Sequence, residues 1–358
     1  MSPPSPRSSP PPQRPPLLPL PGSTLLLRIM VLSLSASSYT CPSVSAGTSV
    51  TAVKNAFLGR DGYADFFSNC SYGQMQIDRV ALKVVSTVVP CSEEIMQCDV
   101  DAIAAAALQQ LPLESQQNTM ASSRHDLFVM PDSLKSICGW NSLSELSPGT
   151  QSWYSPSGKN GIFKQGTVMK MLLVNVALFT ARRAGLSRYD DSSTAMGSGD
   201  SCPSAPELRR LGWATPMAQL NSSSFAAQVY QNFTLPATYL GPTGVMIMIQ
   251  PDWLVTVPYS KNLYLALRVK AAGDRLLLDD FNGKLSLHEL NAEIDNLLLP
   301  YKDPMTNLIN VIGPTSSVTL FDYQLRIVTG ELVNNGTAIK IKVCRFTSGP
   351  TDCPDSFS

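Results

Sequence analysis

Histidine is nearly absent from this sequence: His125 and His288 are its whole complement in 358 residues. Two cannot supply a three-histidine metal site. Basic clusters are missing as well. No run exceeds the pairs Arg182-Arg183 and Arg209-Arg210, and 27 basic side chains face 27 acidic ones. This excludes the electrostatic footprint of nucleic-acid binding and a polybasic membrane patch. No segment reaches the roughly 18 apolar residues that a membrane-spanning helix needs. There is no Cys-x-x-Cys pair, which argues against a zinc ribbon or a redox motif. The Gly-x-Ser-x-Gly elbow of a serine hydrolase is missing too.

What is present begins with eight cysteines, at 41, 70, 91, 98, 138, 202, 344 and 353, an even number at wide spacings. Asn-x-Ser/Thr sequons make Asn69, Asn221, Asn232 and Asn335 candidate glycosylation sites. Together these favour an oxidising, secretory compartment. Cys344 and Cys353 are expected to bond to each other, and the other six stay unassigned. The Pro- and Ser-rich residues 1–24 cannot build a core and predict an extended polyproline-type tail. The apolar run 24–36 reads either as a signal-peptide core or as a buried strand. The proline-rich lead-in is a poor one for export, so the strand is expected and no export signal is evident.

The length fits two domains. A strand is expected at 25–34, a helix at 50–58, a strand within 78–91, and an Ala-rich helix at 101–111 capped by Asp99 or Asp101. A short strand at 127–130 stops at Pro131, and 139–165 reads as loop. The run 167–184 predicts one long helix, apolar almost all round, with Gly185 as its C-terminal cap and Arg182 and Arg183 in its last turn. Beyond 220 short β-rich runs recur at 245–250, 254–259, 262–269, 284–290, 317–328 and 338–346, as in an antiparallel sandwich. The sequence 278–289, with Asp280, Asn282, Gly283 and Glu289, resembles a calcium loop, but Leu278 stands where its first Asp belongs. A plain turn between strands is expected there.

Several segments point to one family. They are NCSYGQM at 69–75, VVPC at 88–91 followed by Cys98, FVMP and CGW within 128–140, and YDDSSTAMGSGDSCPSAPELRRLGW at 189–213. LPATYL at 235–240 and KVCR at 342–345 complete the set. In this order they resemble the gametolysin peptidase family, the secreted zinc endopeptidases of volvocine algae that digest cell-wall glycoprotein. The resemblance spans about residues 25–350. It implies a zincin-like α/β domain at 25–220, in which Met196 belongs to the Met-turn beneath the metal, followed by a β-sandwich domain at 221–358.

In that family a helix carries His-Glu-x-x-His or Gln-Glu-x-x-His, and the third ligand, a His, lies six residues after the second. Ligands at i and i+4 share one helix face, and the Glu takes the proton of the zinc-bound water. Here the ungapped register places Lys170, Val174 and Thr180 at the ligand positions and Met171 at the Glu position. A register anchored on Ala184-Gly185 places Leu173, Val174, Ala177 and Arg183 there. Neither contains His or Glu. A different carboxylate site from Asp190, Asp191 and Asp200 is conceivable. The reading is a catalytically inactive relative with no cofactor, where active relatives hold zinc. It would be secreted to the cell wall or matrix, and would bind matrix glycoprotein or an active peptidase relative. The alternative is an active zinc metalloendopeptidase acting on the same glycoprotein, with an unconventional site or one misread in the gene across 150–188.

Overall fold

The computed structural model describes residues 23–112, 124–158, 160–184, 190–254 and 258–353. The proposed tail through residue 22, the start of the 254–259 run's core at 255–257, and Gly185 lie outside them.

The N-terminal half is built on β1 (Ser23–Ser35), the expected apolar strand. After it come α1 (Val50–Leu58), α2 (Tyr63–Cys70), β2 (Met75–Ile77), β3 (Lys83–Pro90), α3 (Glu93–Met96) and α4 (Val100–Gln109). β4 (Arg124–Val129), α5 (Asp132–Cys138), β5 (Ser142–Ser144), β6 (Gln151–Tyr154) and α6 (Gln165–Asn175) complete it. Ser49 caps α1 by accepting from Ala52 N at 3.1 Å, and Asp99 caps α4 by accepting from Asp101 N and Ala102 N at 3.0 Å. β1 runs parallel to β2 and β3 on one side and to β4 on the other. β6 pairs parallel with β4, and β5 closes the sheet as an antiparallel edge. A central parallel strand is covered on both faces, which is why β1 reads as one unbroken apolar run. Leu25, Leu27, Ile29 and Val31 enter one core, and Met30, Leu32 and Leu34 the other.

Two expectations fail in this half. Residues 139–165 are not all loop, because they contain β5 and β6; strands of three and four residues are too short for a periodic signal. The long helix over 167–184 ends at Asn175. Arg182 and Arg183 form a two-residue strand, β7, instead of a last helical turn.

The C-terminal half carries α7 (Ala205–Arg210), β8 (Ala218–Leu220), β9 (Gln231–Pro236), β10 (Ile247–Ile249), β11 (Lys261–Arg268), β12 (Lys284–Asn291) and α8 (Ala292–Asn296). β13 (Asn307–Ile312), β14 (Ser317–Leu320), β15 (Leu325–Val333) and β16 (Ala338–Arg345) follow. One sheet has the order β7-β13-β12-β11-β10-β8, the other β14-β15-β16-β9. The run expected as one strand at 317–328 is a hairpin, turned at 321–323. Leu263, Leu265 and Leu267 of β11 face the four-stranded sheet, in a core with Ile327, Ile339 and Ile341. Tyr264 and Ala266 on its other face join the core of the N-terminal half, with Met196, Leu208 and Trp213. The middle sheet is thus buried on both faces. Four disulfides pair Cys41 with Cys91, Cys70 with Cys202, Cys98 with Cys138 and, as expected, Cys344 with Cys353.

Candidate functional site

The helix α6 is held at both ends by backbone and amide contacts. At its start Gly166 N donates to Asp200 Oδ1 at 2.9 Å, and Gln165 Nε2 donates to Asp200 O at 2.7 Å. A Cβ on Gly166 would lie 2.0 Å from Gly199 O, so only glycine lets the turn around Met196 sit this close. At its end Asn175 Nδ2 donates to Ser144 Oγ, Glu145 O and Gln151 O at 2.8, 2.9 and 3.2 Å. Its Oδ1 lies 3.3 Å from His125 Nδ1 on β4. The buried asparagine at the end of the helix thereby fastens α6 to the sheet edge.

Just past the helix the chain reverses. Ala177 has φ 70°, and Leu178 N reaches back to Leu173 O at 2.9 Å. The reversal carries the next residues back along α6. A cleft of about 630 Å³ results, walled by β5 on one side, by α6 and residues 177–180 on another, and by Gly197 and Ser198. Lys170, Met171, Val174 and Thr180 all line it. Met196 is fully buried behind it, and its carbonyl accepts from Ala181 N at 3.0 Å. Of the second register, Val174 and Ala177 line the cleft, Leu173 is fully buried in the core and Arg183 is exposed on β7.

Lys170 is buried, and its Nζ donates to Gly197 O at 2.9 Å. Burial, helped by the nearby Lys164 ammonium, pulls its pKa down to about 8. Burial also pushes the His125 imidazole below its usual range, against the bond to Asn175. His288 on β12 is buried too, but beside the turn: its Nε2 lies 3.0 Å from Asp191 Oδ2. The burial of Asp191 would raise its pKa, yet His288 and Ser193 hold it below the ordinary value. Next to this pair Glu207, wholly buried, accepts from Thr194 Oγ1 and Ser204 N, both at 2.6 Å. Burial raises its pKa.

These contacts dispose of the lesser sequence readings. Asp191 and Asp200 serve separate structural bonds, and among the described residues no three His, Cys, Asp or Glu side chains form a group able to hold a metal. The calcium-like loop is a turn entering β12, with Asn282 Oδ1 accepting from Lys270 N and Glu289 accepting from Tyr323 and Asn307. Of the sequons, Asn69, Asn232 and Asn335 are exposed and Asn221 half-buried.

Residues 27–324 match the gametolysin peptidase M11 family. The chain belongs to that family. No curated protein matches it. Gametolysin peptidases are metallopeptidases, so the cleft must be tested for zinc. The residues present do not fit it. Val174 has no lone pair, Thr180 offers only a neutral hydroxyl, and the Lys170 ammonium, which donates to Gly197 O, has no lone pair while it is protonated. These are the residues that the ungapped register expects at the ligand positions, and all three line the cleft. The sequence holds no sign of the reversal at Ala177, where an alanine stands in a left-handed conformation that favours glycine, nor of the Asn175–His125 contact or the Asp191–His288 pair, which join segments far apart in the chain.

Proposed function

We propose that this gametolysin-family chain is a catalytically inactive, zincin-like relative, exported from the cell, that binds cell-wall or matrix glycoprotein, or an active peptidase relative, in its cleft. One observation carries the reading: the cleft-lining positions 170, 171, 174 and 180 are Lys, Met, Val and Thr. None is a histidine or a carboxylate, the side chains that a zincin uses as ligands and as the base for the bound water. The parallel sheet with an antiparallel edge strand beside the cleft, and the buried Met196 behind it, support the zincin-like reading. Four disulfides and three exposed sequons support export. Residues 25–220 and 221–358 remain our proposed division, although β7 and β8 join the sheet of the second part.

The test is elemental analysis for zinc on chain produced through a secretory route and dialysed free of loose metal, with a peptidase assay on cell-wall glycoprotein. The expected result is zinc near zero and no cleavage. One tightly bound zinc per chain would overturn the proposal in favour of an active metalloendopeptidase.

A further inference from the structure

The strand β3 presents an open outer edge. It pairs with β1 alone, in unbroken register from Lys83 to Pro90. Among the described residues no hydrogen bond joins its other edge to another segment. Both of its faces are covered: Val84 packs against one core, Val85 and Val89 against the other. Natural sheets protect such an edge by keeping it short, by a bulge, or by charge and proline along it. β3 has eight residues, no bulge, one charge at its first position and proline only at its last. Between them stands Val-Val-Ser-Thr-Val-Val, an uncharged run rich in β-branched residues.

The surface around this edge is apolar. Val88 on the strand is exposed, and Val80 just before it is almost wholly so. Tyr39, also wholly exposed, stands two residues from Cys41, whose bond to Cys91 places it near the far end of β3. Among the described residues no large apolar side chain is more exposed than Val80 and Tyr39. Charge divides along the strand: Lys83 opens it, Glu93 and Glu94 follow its end, and all three are exposed. The other charges at the Lys83 end are engaged locally. Arg79 is paired with Asp65, and Asp78 accepts from Val80 N and Ala81 N at 2.9 Å.

We propose that β3 pairs antiparallel with β3 of a second copy of this chain, joining two sheets into one across a two-fold axis. Opposite residues in an antiparallel pair both turn their backbone groups to the partner or both turn them away, so the axis passes beside one residue. At Ser86 it sets the exposed Val88 of each copy against Val84 of the other, a β-branched cross-strand pair made twice. Lys83 then meets the end of the other copy's strand, next to Glu93 and Glu94, while the two Lys83 charges stay at opposite ends. Val80 falls toward the end that Tyr39 flanks. A contact of this kind uses the same surface on both copies and closes on itself. It is independent of what the cleft binds.

The test is sedimentation velocity on the full secreted chain across a concentration series, with a dimer as the expected species. Val88→Lys puts a charge at an exposed position on the pairing strand and should weaken the dimer about tenfold. Lys83→Glu should weaken it as well. Adding Glu93→Lys and Glu94→Lys to that variant reverses both ends and should restore association. Circular dichroism checks that the variants fold. Cross-linking reads the axis separately: under mild oxidation Ser86→Cys should give a covalent dimer, and Ser316→Cys, exposed beside β14, should not. A monomer at every concentration overturns the proposal. So does a dimer indifferent to Val88→Lys and to the charge reversal, because its contact then lies elsewhere. Covalent dimer formed as readily through Ser316→Cys as through Ser86→Cys rejects the two-fold at β3.

Discussion

Ala177 bears the conformational cost of ending α6. Its φ of 70° lies in the left-handed region, which costs a non-glycine residue about 1 kcal/mol. Ala177→Gly should therefore stabilise the protein by about 1 kcal/mol, read as a shift of the denaturant midpoint; an unchanged or lower midpoint would contradict the strain. Lys170 makes the second residue-scale prediction. Its pKa falls from 10.5 to about 8 on folding, so in that window the unfolded chain binds more protons and stability rises with pH. Below pH 8 the buried ammonium is a net cost. Lys170→Met should be the more stable protein there, by on the order of 2 kcal/mol, and the gap should close between about pH 8 and 10.5. Parallel denaturation curves across that range would refute it.

At the scale of elements, the turn holding Met196 is pinned to β12 by the buried Asp191–His288 pair and to α7 by Glu207, which joins Thr194 to Ser204. Removing one member of a buried pair typically costs 3–5 kcal/mol, so Asp191→Asn should lower stability by roughly 3 kcal/mol at neutral pH. The sign with pH follows from the depressed pKa of Asp191. Its contribution is present above the ordinary carboxylate range and is lost as pH falls through the folded value. Denaturation midpoints of wild type and variant should converge in acid. Glu207, with its raised pKa, works in the opposite direction; burial is the main cause and the Asp191 charge a further one, so the variant also lessens that opposing effect.

At the scale of the whole molecule, the Cys70–Cys202 disulfide lies against the C-terminal half. A Cβ on Gly273 would sit 2.4 Å from Cys202 Sγ and 2.7 Å from Cys70 Sγ. Arg268, fully buried, forks onto Asp274 at 2.6 and 3.0 Å and reaches Cys202 O at 3.1 Å. Asp274 in turn accepts from Cys202 N at 2.8 Å. The two halves are therefore fitted together at this bridge. Gly273→Ala should cost about 2 kcal/mol by overpacking. In a chain already carrying Cys70→Ala and Cys202→Ala the same change should cost far less, and thermal denaturation of the four proteins would measure the coupling. Equal costs in both backgrounds would show that the disulfide is not what Gly273 accommodates.

The sequence by itself determined the elements whose signal is local. β1 announces itself by an unbroken apolar run, α1 by a helix-like stretch, α4 by its alanines and its Asp99 cap, and β11, β12 and β16 by their strand-forming composition. The family followed from motifs spread along the chain, and the lack of His and Glu in residues 167–184 from residue identity alone. Tertiary structure decided the rest. Apolarity of residues 167–184 suits a buried helix and buried coil equally, so nothing local ends α6 at Asn175. The end is set where Asn175 meets β5, β6 and His125, and where Arg182 and Arg183 pair with β13. The cleft, the buried lysine within it and the disulfide partners likewise depend on contacts between residues distant in sequence, whose energies no short window of sequence contains.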